Sequence, residues 1–284
     1  MPHGSLLIGR VEVVSLCDGV TFGGGAQESF PGVRDEIWAE ASGRYPWAFG
    51  EQDQWRLHVH ATLLRSEGHT ILVDAGVGPE AAPAYAWSEI RGALPDEIRA
   101  IGVDLDEVEQ VIITHVHDDH LGWTTREGSE DPLFPNARYV IHRADWEHMA
   151  AATDEEDREI FAATMAPLEA AGVLQLSEGD QRMTGELTLV HAPGHTPGHQ
   201  VVTIDSDGAR GLVSADLVNN PAQLLQPGLN GATDGDPELA RATRARWLEQ
   251  VEREDRIVIP SHFREGFGRF VAEGARHAWE PLEV

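Results

Sequence analysis

Six consecutive residues, His115-Val116-His117-Asp118-Asp119-His120, concentrate the side chains of this chain that are best suited to chemistry. Imidazole and carboxylate donors hold divalent ions such as zinc, and also iron, manganese or cobalt. A metal site needs donor atoms that converge to about 2 Å from the ion and are carried on rigid edges. The cluster directly follows the apolar run Val111–Thr114, which reads as a short buried strand. In a tight turn after that strand, His115 and His117 point to one spot, while an aspartate and His120 point to a neighbouring one. That arrangement suits two ions at the ~3.5–4 Å spacing of dinuclear sites. Three histidines and two aspartates in six residues form a dense cluster for a chain with 14 histidines in 284 residues, so a merely solvated turn explains it poorly. Asp118 and Asp119 face different ways, and the spacing alone leaves open which of them binds.

A bound divalent ion lowers the pKa of water to ~7 and polarises a carbonyl or phosphoryl oxygen. Hydrolysis at such a centre needs no protein nucleophile. The single cysteine, Cys17, lies in an apolar stretch far from the cluster. It permits no disulfide within the chain and reads as a small buried residue.

The elements that must position these groups share one habit: short apolar strands end in a candidate ligand. Leu57–Arg65 and Thr70–Asp74 read as a hairpin turning near Gly68, and the second strand closes on Asp74-Ala75-Gly76. Leu187–His191 and Gln200–Ile204 flank a turn that contains His195. Gly211–Ser214 ends at Asp216, and Ile257–Ile259 ends at Pro260-Ser261-His262. Residues 6–16 and Arg138–His142 also read as strands. Residues 143–150 and 154–171 read as helices, and Asp236-Pro237 opens a third through Glu252, with Asp as cap and Pro in the first turn. Residues 20–55 are rich in Gly, Pro and aromatics and read as a long irregular excursion. No linker or repeat divides the chain, so a single domain over 1–284 is expected.

The formal net charge is −27, every basic residue is arginine, and there is no basic patch. Such a chain repels nucleic acid and anionic membranes. No apolar run approaches the ~20 residues of a membrane span. The first residues lack the basic and apolar regions of a signal peptide, so a cytoplasmic protein is expected.

Taken in order, the motifs resemble the metallo-β-lactamase superfamily, whose signature is H-x-H-x-D-H. The resemblance runs from about residue 57 to 265. It rests on Asp74, on His115 to His120, on Pro193-Gly194-His195-Thr196-Pro197-Gly198-His199, on Asp216 and on His262. It implies an α/β fold, a four-layer αββα sandwich with two divalent ions, zinc foremost, at one edge. His115, His117 and His195 would hold one ion and Asp119, His120 and His262 the other. Asp216 would bridge them, and Asp74 would hydrogen-bond a ligand histidine from behind.

Within the superfamily the chain most resembles the branch of quorum-quenching lactonases and methyl-parathion-hydrolase-like enzymes. The features are the Pro-Gly-His turn, Ala215-Asp216-Leu217-Val218, Ala242-Thr243-Arg244 and Ser261-His262-Phe263. Where the lactonases carry a Tyr three residues after the bridging Asp, this chain has Asn219. The expected activity is opening of a lactone or other carboxylic ester by a metal-bridging hydroxide. Asp119 and Asp216 serve the catalysis, and phosphotriesters are a side activity. A thioesterase of the glyoxalase II type and a non-catalytic metal-binding module are the alternatives. Asn219, Phe22, Trp87, Trp123 and Phe263 are the expected pocket residues. His58-Val59-His60 forms a second H-x-H without neighbouring ligands and is read as structural or pocket-lining. The aromatic 20–55 segment fits either a pocket wall or a subunit contact, which leaves a homodimer open.

Overall fold

The computed structural model describes residues 4–51 and 54–283. Its two halves each fold into one seven-stranded sheet. β1 (Gly4–Ile8), β2 (Val11–Phe22), β3 (Arg56–Ser66), β4 (His69–Val73), β5 (Gln110–Ile112), β6 (Arg138–His142) and β7 (Leu174–Ser177) lie side by side in chain order. β8 (Gln181–Arg182), β9 (Leu187–His191), β10 (Gln200–Ser206), β11 (Ala209–Ala215), β12 (Ile257–Pro260), β13 (Gly268–Glu273) and β14 (Arg276–Pro281) build the second sheet, again in order. β1 to β4 are antiparallel, whereas β4 to β7 are parallel and their crossovers carry helices.

Alternation along the strands explains the layering. Ile71, Val73 and Ile112 point between the sheets, where they meet Leu189, Val202, Val213 and Ile259. Their neighbours Leu72 and Val111 point outward against Ile98, Met149 and Leu168 of the first helical layer. Leu212 and Val258 point outward on the other sheet, against Trp247 and Val251 of helix Pro237–Glu254. Strands apolar on both faces are what a sheet covered on both sides requires. The result is the four-layer αββα sandwich. Among the described residues no helix is long and apolar enough to cross a membrane.

Three regions differ from expectation. Residues 6–16 are not one strand: Gly9, at φ +63°, turns the chain between β1 and β2. Segment 20–55 is less irregular than its Gly and Pro content suggests. β2 runs through Phe22, and Asp35–Arg44 is a helix that buries Ile37, Trp38 and Ala41. Its aromatics Trp38, Tyr45, Trp47 and Phe49 cover the outer face of the second sheet as core. The 154–171 helix is interrupted by a π turn at Phe161–Met165, where Thr164 Oγ1 donates to the Ile160 carbonyl.

Candidate metal centre

The site lies where strand ends of both sheets meet. β5 stops at Ile112, and the chain descends through Thr114 and His115 into a short 3₁₀ turn over Asp118–His120. This turn is tied to the loop after β4: the Ala75 N–H donates to the His120 carbonyl, and the Gly122 N–H to the Gly76 carbonyl. A side chain at Gly122 would run into the Val77 backbone at 2.1 Å, so the two loops demand glycine there. Asp74 and Ala215, which precede or carry site groups, adopt left-handed φ of +66° and +44°. Ala215 follows a break in the β11–β12 register, which turns Asp216 out of the sheet and toward the histidines.

Seven side chains converge. Three sets place their donor atoms within 4.8 Å of one another: His115, His117 and His195; His115, His120 and Asp216; and Asp119, His120 and His262. Asp216 stands between the groups. Its Oδ2 lies 3.3 Å from His195 Nε2 and 3.8 Å from His115 Nε2, and its Oδ1 lies 3.4 Å from His120 Nε2 and 3.1 Å from His262 Nε2. Asp119 Oδ2 is 3.6 Å from His120 Nε2 and 3.7 Å from His262 Nε2. Asp118 instead accepts from Trp87 Nε1 at 2.8 Å.

The donor set fits two divalent ions. Buried polar atoms ordinarily find partners, yet His120 Nε2, His195 Nε2 and Asp216 Oδ1 are buried without one and all face the centre. The opposite ring nitrogens of four of the five histidines are engaged, which fixes ring orientation as metal-ligand histidines require. His120 Nδ1 is 2.9 Å from Asp74 Oδ2, His195 Nδ1 is 2.8 Å from Asp234 Oδ1, His262 Nδ1 donates to the His58 carbonyl at 2.8 Å, and His115 Nδ1 is 3.0 Å from Thr114 Oγ1. Asp74 also accepts from the Thr114 N–H and hydroxyl.

Electrostatics favour positive charge at the centre. Burial opposes protonation of His120, but Asp119, Asp74 and Asp216 outweigh it and push its pKa up to about 10. Burial likewise opposes protonation of His195, which Asp216 and Asp234 push up to about 9. Burial and neighbouring rings hold His115 and His117 well below the usual range. Burial would raise Asp216, but His262, His120 and His115 keep it well below the carboxylate range.

Three supporting residues escaped the sequence reading. Asp234 backs His195 and is itself paired with buried Arg244 at 3.1 Å, whose guanidinium also donates to the Leu217 and Leu229 carbonyls. Asp145 accepts from Thr196 Oγ1 and the Gly198 N–H, pinning the turn that carries His195. Asp18 accepts from the Val77 and Leu94 N–H groups and from Trp123 Nε1. His199 is not a ligand-facing ring: its Nδ1 donates to the Ala192 carbonyl and its Nε2 accepts from the Asp216 N–H.

A cavity of about 480 Å³ opens over His117, Asp119, Asp216 and His262, with Asn219 and Trp87 on its wall. Three expected wall residues lie elsewhere. Trp123 is buried, its indole committed to Asp18. Phe263 is fully buried among Trp47, Phe270 and Trp279. Phe22 is exposed at the end of β2, against Arg56. Phe30 and Trp55 supply the aromatic wall instead. His58 and His60 are buried against the Trp47 carbonyl and Ser15 and do not reach the cavity.

Comparison with known proteins agrees with this geometry. An N-acyl homoserine lactonase of Bacillus thuringiensis is 24% identical over 220 residues, covering 72% of this chain and 81% of the relative. The structure of AidC, a dizinc quorum-quenching lactonase in complex with a product, superposes with a TM-score of 0.86 at 22% identity and covers 99% of this chain and 98% of its own. The hydrolase AbOPH of the β-lactamase superfamily superposes at 0.85 with 20% identity, covering 99% and 98%. At these identities the two structures speak to the fold. The model of the metallo-beta-lactamase superfamily matches residues 55–262, which span every converging side chain of the centre, and with that match the chain belongs to this superfamily.

Proposed function

We propose that this chain is a metal-dependent hydrolase that opens a lactone or another carboxylic ester. The observation that carries the proposal is the Asp216 carboxylate set between two histidine groups, with unpartnered donor atoms facing one point beneath an open cavity. His115, His117 and His195 would hold one ion, Asp119, His120 and His262 the other, and Asp216 would be shared between them. Two divalent ions held there supply Lewis acidity and a water acidified toward neutral pH. The lactonase relatives and the dizinc neighbour favour zinc and a lactone.

The chain's own residues set the geometry. Asp74 and Asp234 keep Nε2 of His120 and His195 aimed inward. Asn219 Nδ2 donates to Asp216 Oδ2 at 2.7 Å and steadies the bridge. Asn219 thus spends one amide proton on the bridging carboxylate, at the position from which a lactonase Tyr would reach the substrate. Asp119, which lines the cavity, would assist protonation of the leaving oxygen. Aryl phosphotriesters are expected as a slower side activity, and the chain is expected to work in the cytoplasm.

The test is metal content together with a panel of lactones, an aryl ester, an aryl phosphotriester and a glutathione thioester. Two ions per chain and lactone or ester turnover are expected. Fewer than two ions after loading overturns the dinuclear reading. Turnover of the thioester alone overturns the substrate class in favour of the glyoxalase II type, and two bound ions with no turnover of any substrate favours a non-catalytic module.

A further inference from the structure

The cavity over the centre is chemically lopsided. Four carboxylates that contact no ligand ring stand on its wall: Glu28, Asp118, Glu156 and Asp157. No arginine lines it among the described residues, and the chain has no lysine. The rest of the wall is aromatic and aliphatic, from Phe30, Trp55 and Trp87 with Leu57, Val116 and Ile160, and the Trp87 indole donates to Asp118.

A separate observation concerns Asn219, which is 5% exposed and lines the same cavity. Its Nδ2 faces Asp216, an acceptor, so the amide orientation is settled and Oδ1 is the other atom. That oxygen is buried with no partner. Its uncompensated negative end adds to the field of the carboxylates and disfavours an anion nearby. An adjoining cavity of about 520 Å³ shares His117 and Asp157 and adds Asp236, with His148 and His191 as its nitrogen bases beyond the ligand rings. A substrate that outgrows the first cavity therefore still meets carboxylates.

Positive charge from bound ions would be confined to the reaction centre, where Asp119 and Asp216 already offset part of it. The far end of a substrate lies among carboxylates and aromatic side chains instead. Indole faces attract cations, most strongly when both are shielded from water. Carboxylates in a low-dielectric cleft focus the field and raise the local concentration of cations. An anion placed there loses hydration and gains no partner.

We propose that this wall selects substrates by charge: it favours esters or lactones whose non-reacting end carries an ammonium-type cation and rejects those that carry a carboxylate. The inference rests on the hydrolase reading above and names the substrate class of that same site.

Three phenyl esters matched in size test it, with acyl chains ending in trimethylammonium, tert-butyl or carboxylate. With the metal-loaded protein at low salt, kcat/KM should fall in that order, by about tenfold or more from the first to the last. The spread should shrink as ionic strength rises, because wall charges are screened over about 10 Å at 0.1 M salt. In the Glu156→Gln/Asp157→Asn variant the ratio of cationic to anionic ester should collapse toward one. Binding gives a readout apart from turnover: a trimethylammonium-capped alcohol should quench indole fluorescence at lower concentration than its tert-butyl counterpart. Equal turnover of the three esters, or preference for the carboxylate, overturns the inference and leaves the hydrolase reading standing. Failure to hydrolyse any ester with two ions bound overturns the hydrolase reading itself. If the variant does not fold, the salt dependence and the binding pair on the unaltered protein still decide the matter.

Discussion

The tripeptide His-Val-His occurs twice in this chain, and the two copies have opposite fates. His115-Val116-His117 follows a three-residue strand into a loop, and its rings meet His120, His195 and Asp216. His58-Val59-His60 lies inside the eleven-residue strand β3, with both rings buried. There His60 Nδ1 meets Ser15 Oγ, His58 Nε2 meets the Trp47 carbonyl, and among the described residues no carboxylate pairs with either ring. Three of the four rings are buried, and His117 is partly open to the cavity. What separates them is a strand end, where the backbone can bring five further side chains to one point, among them the carboxylates that compensate a cation there. An unbroken strand only stacks the two rings, 6.2 Å apart at 27°. Two imidazoles on one face are thus half a statement; the aspartates complete it.

The comparison breaks most sharply at the bridge. Asp216→Ala removes the carboxylate that faces four ligand rings. Loss of one ion per chain is expected, with hydrolysis down at least ~10³-fold, which corresponds to about 4 kcal/mol of lost barrier lowering. Metal analysis and turnover of the best ester check this; unchanged turnover would place the reaction elsewhere. The carboxylates behind the rings come next. Asp234→Asn and Asp74→Asn each leave the ligand in place but weaken its orientation, at a cost of about 10–100-fold in metal affinity. The pair should divide by site: Asp234→Asn loosens the ion of His195, and Asp74→Asn the ion of His120. Competition with a chelator, followed as two release steps, separates them. Arg244→Met should mimic Asp234→Asn, because it leaves Asp234 buried without its cation.

Asp234 marks where the sequence stopped being legible, whereas Asp74 was readable at the end of its strand. The converging side chains could be read because they lie at or a few residues past the end of an apolar strand, where a polar cluster is conspicuous. The hairpin of β3 and β4, the strand Arg138–His142 and the Asp236-capped helix were readable for the same local reasons. Asp234 sits in a loop with no period or motif. Its one signal was the pair Asp234 and Asp236 ahead of Pro237, since a helix needs a single cap and Asp236 fills that role through the Glu238 and Leu239 N–H groups. Segment 20–55 misled through its composition, although Ile37, Trp38, Ala41 and Tyr45 lie at helical spacing. Which aromatics reach the cavity was not legible at all. Trp55 and Trp123 look alike in sequence, but Asp18, buried 105 residues away from Trp123 in the chain, captures one of the two indoles.

The remaining pair of histidines gives the smallest expected effects and the sharpest control. His60→Gln or His58→Gln should leave two ions bound, because neither ring faces the centre. Replacement should cost stability by about 1–3 kcal/mol through lost buried hydrogen bonds. A variant that loses an ion instead would mean that the β3 pair belongs to the site. Acid supplies a further distinction. Burial pushes the His60 pKa down to about 3, against about 6.5 in an unfolded chain. A ring whose folded pKa is depressed binds its proton in the unfolded state first. Its contribution is therefore fully present above pH 6.5 and is lost as pH falls from there toward 3. The slope for one such ring approaches about 1.4 kcal/mol per pH unit. Urea unfolding of the metal-free protein between pH 7 and 5 should therefore show a steeper loss of stability than the same measurement on His60→Phe. Parallel curves would mean that His60 is already solvated in the folded chain, and the contrast between the two His-Val-His pairs would then reduce to the presence or absence of carboxylates alone.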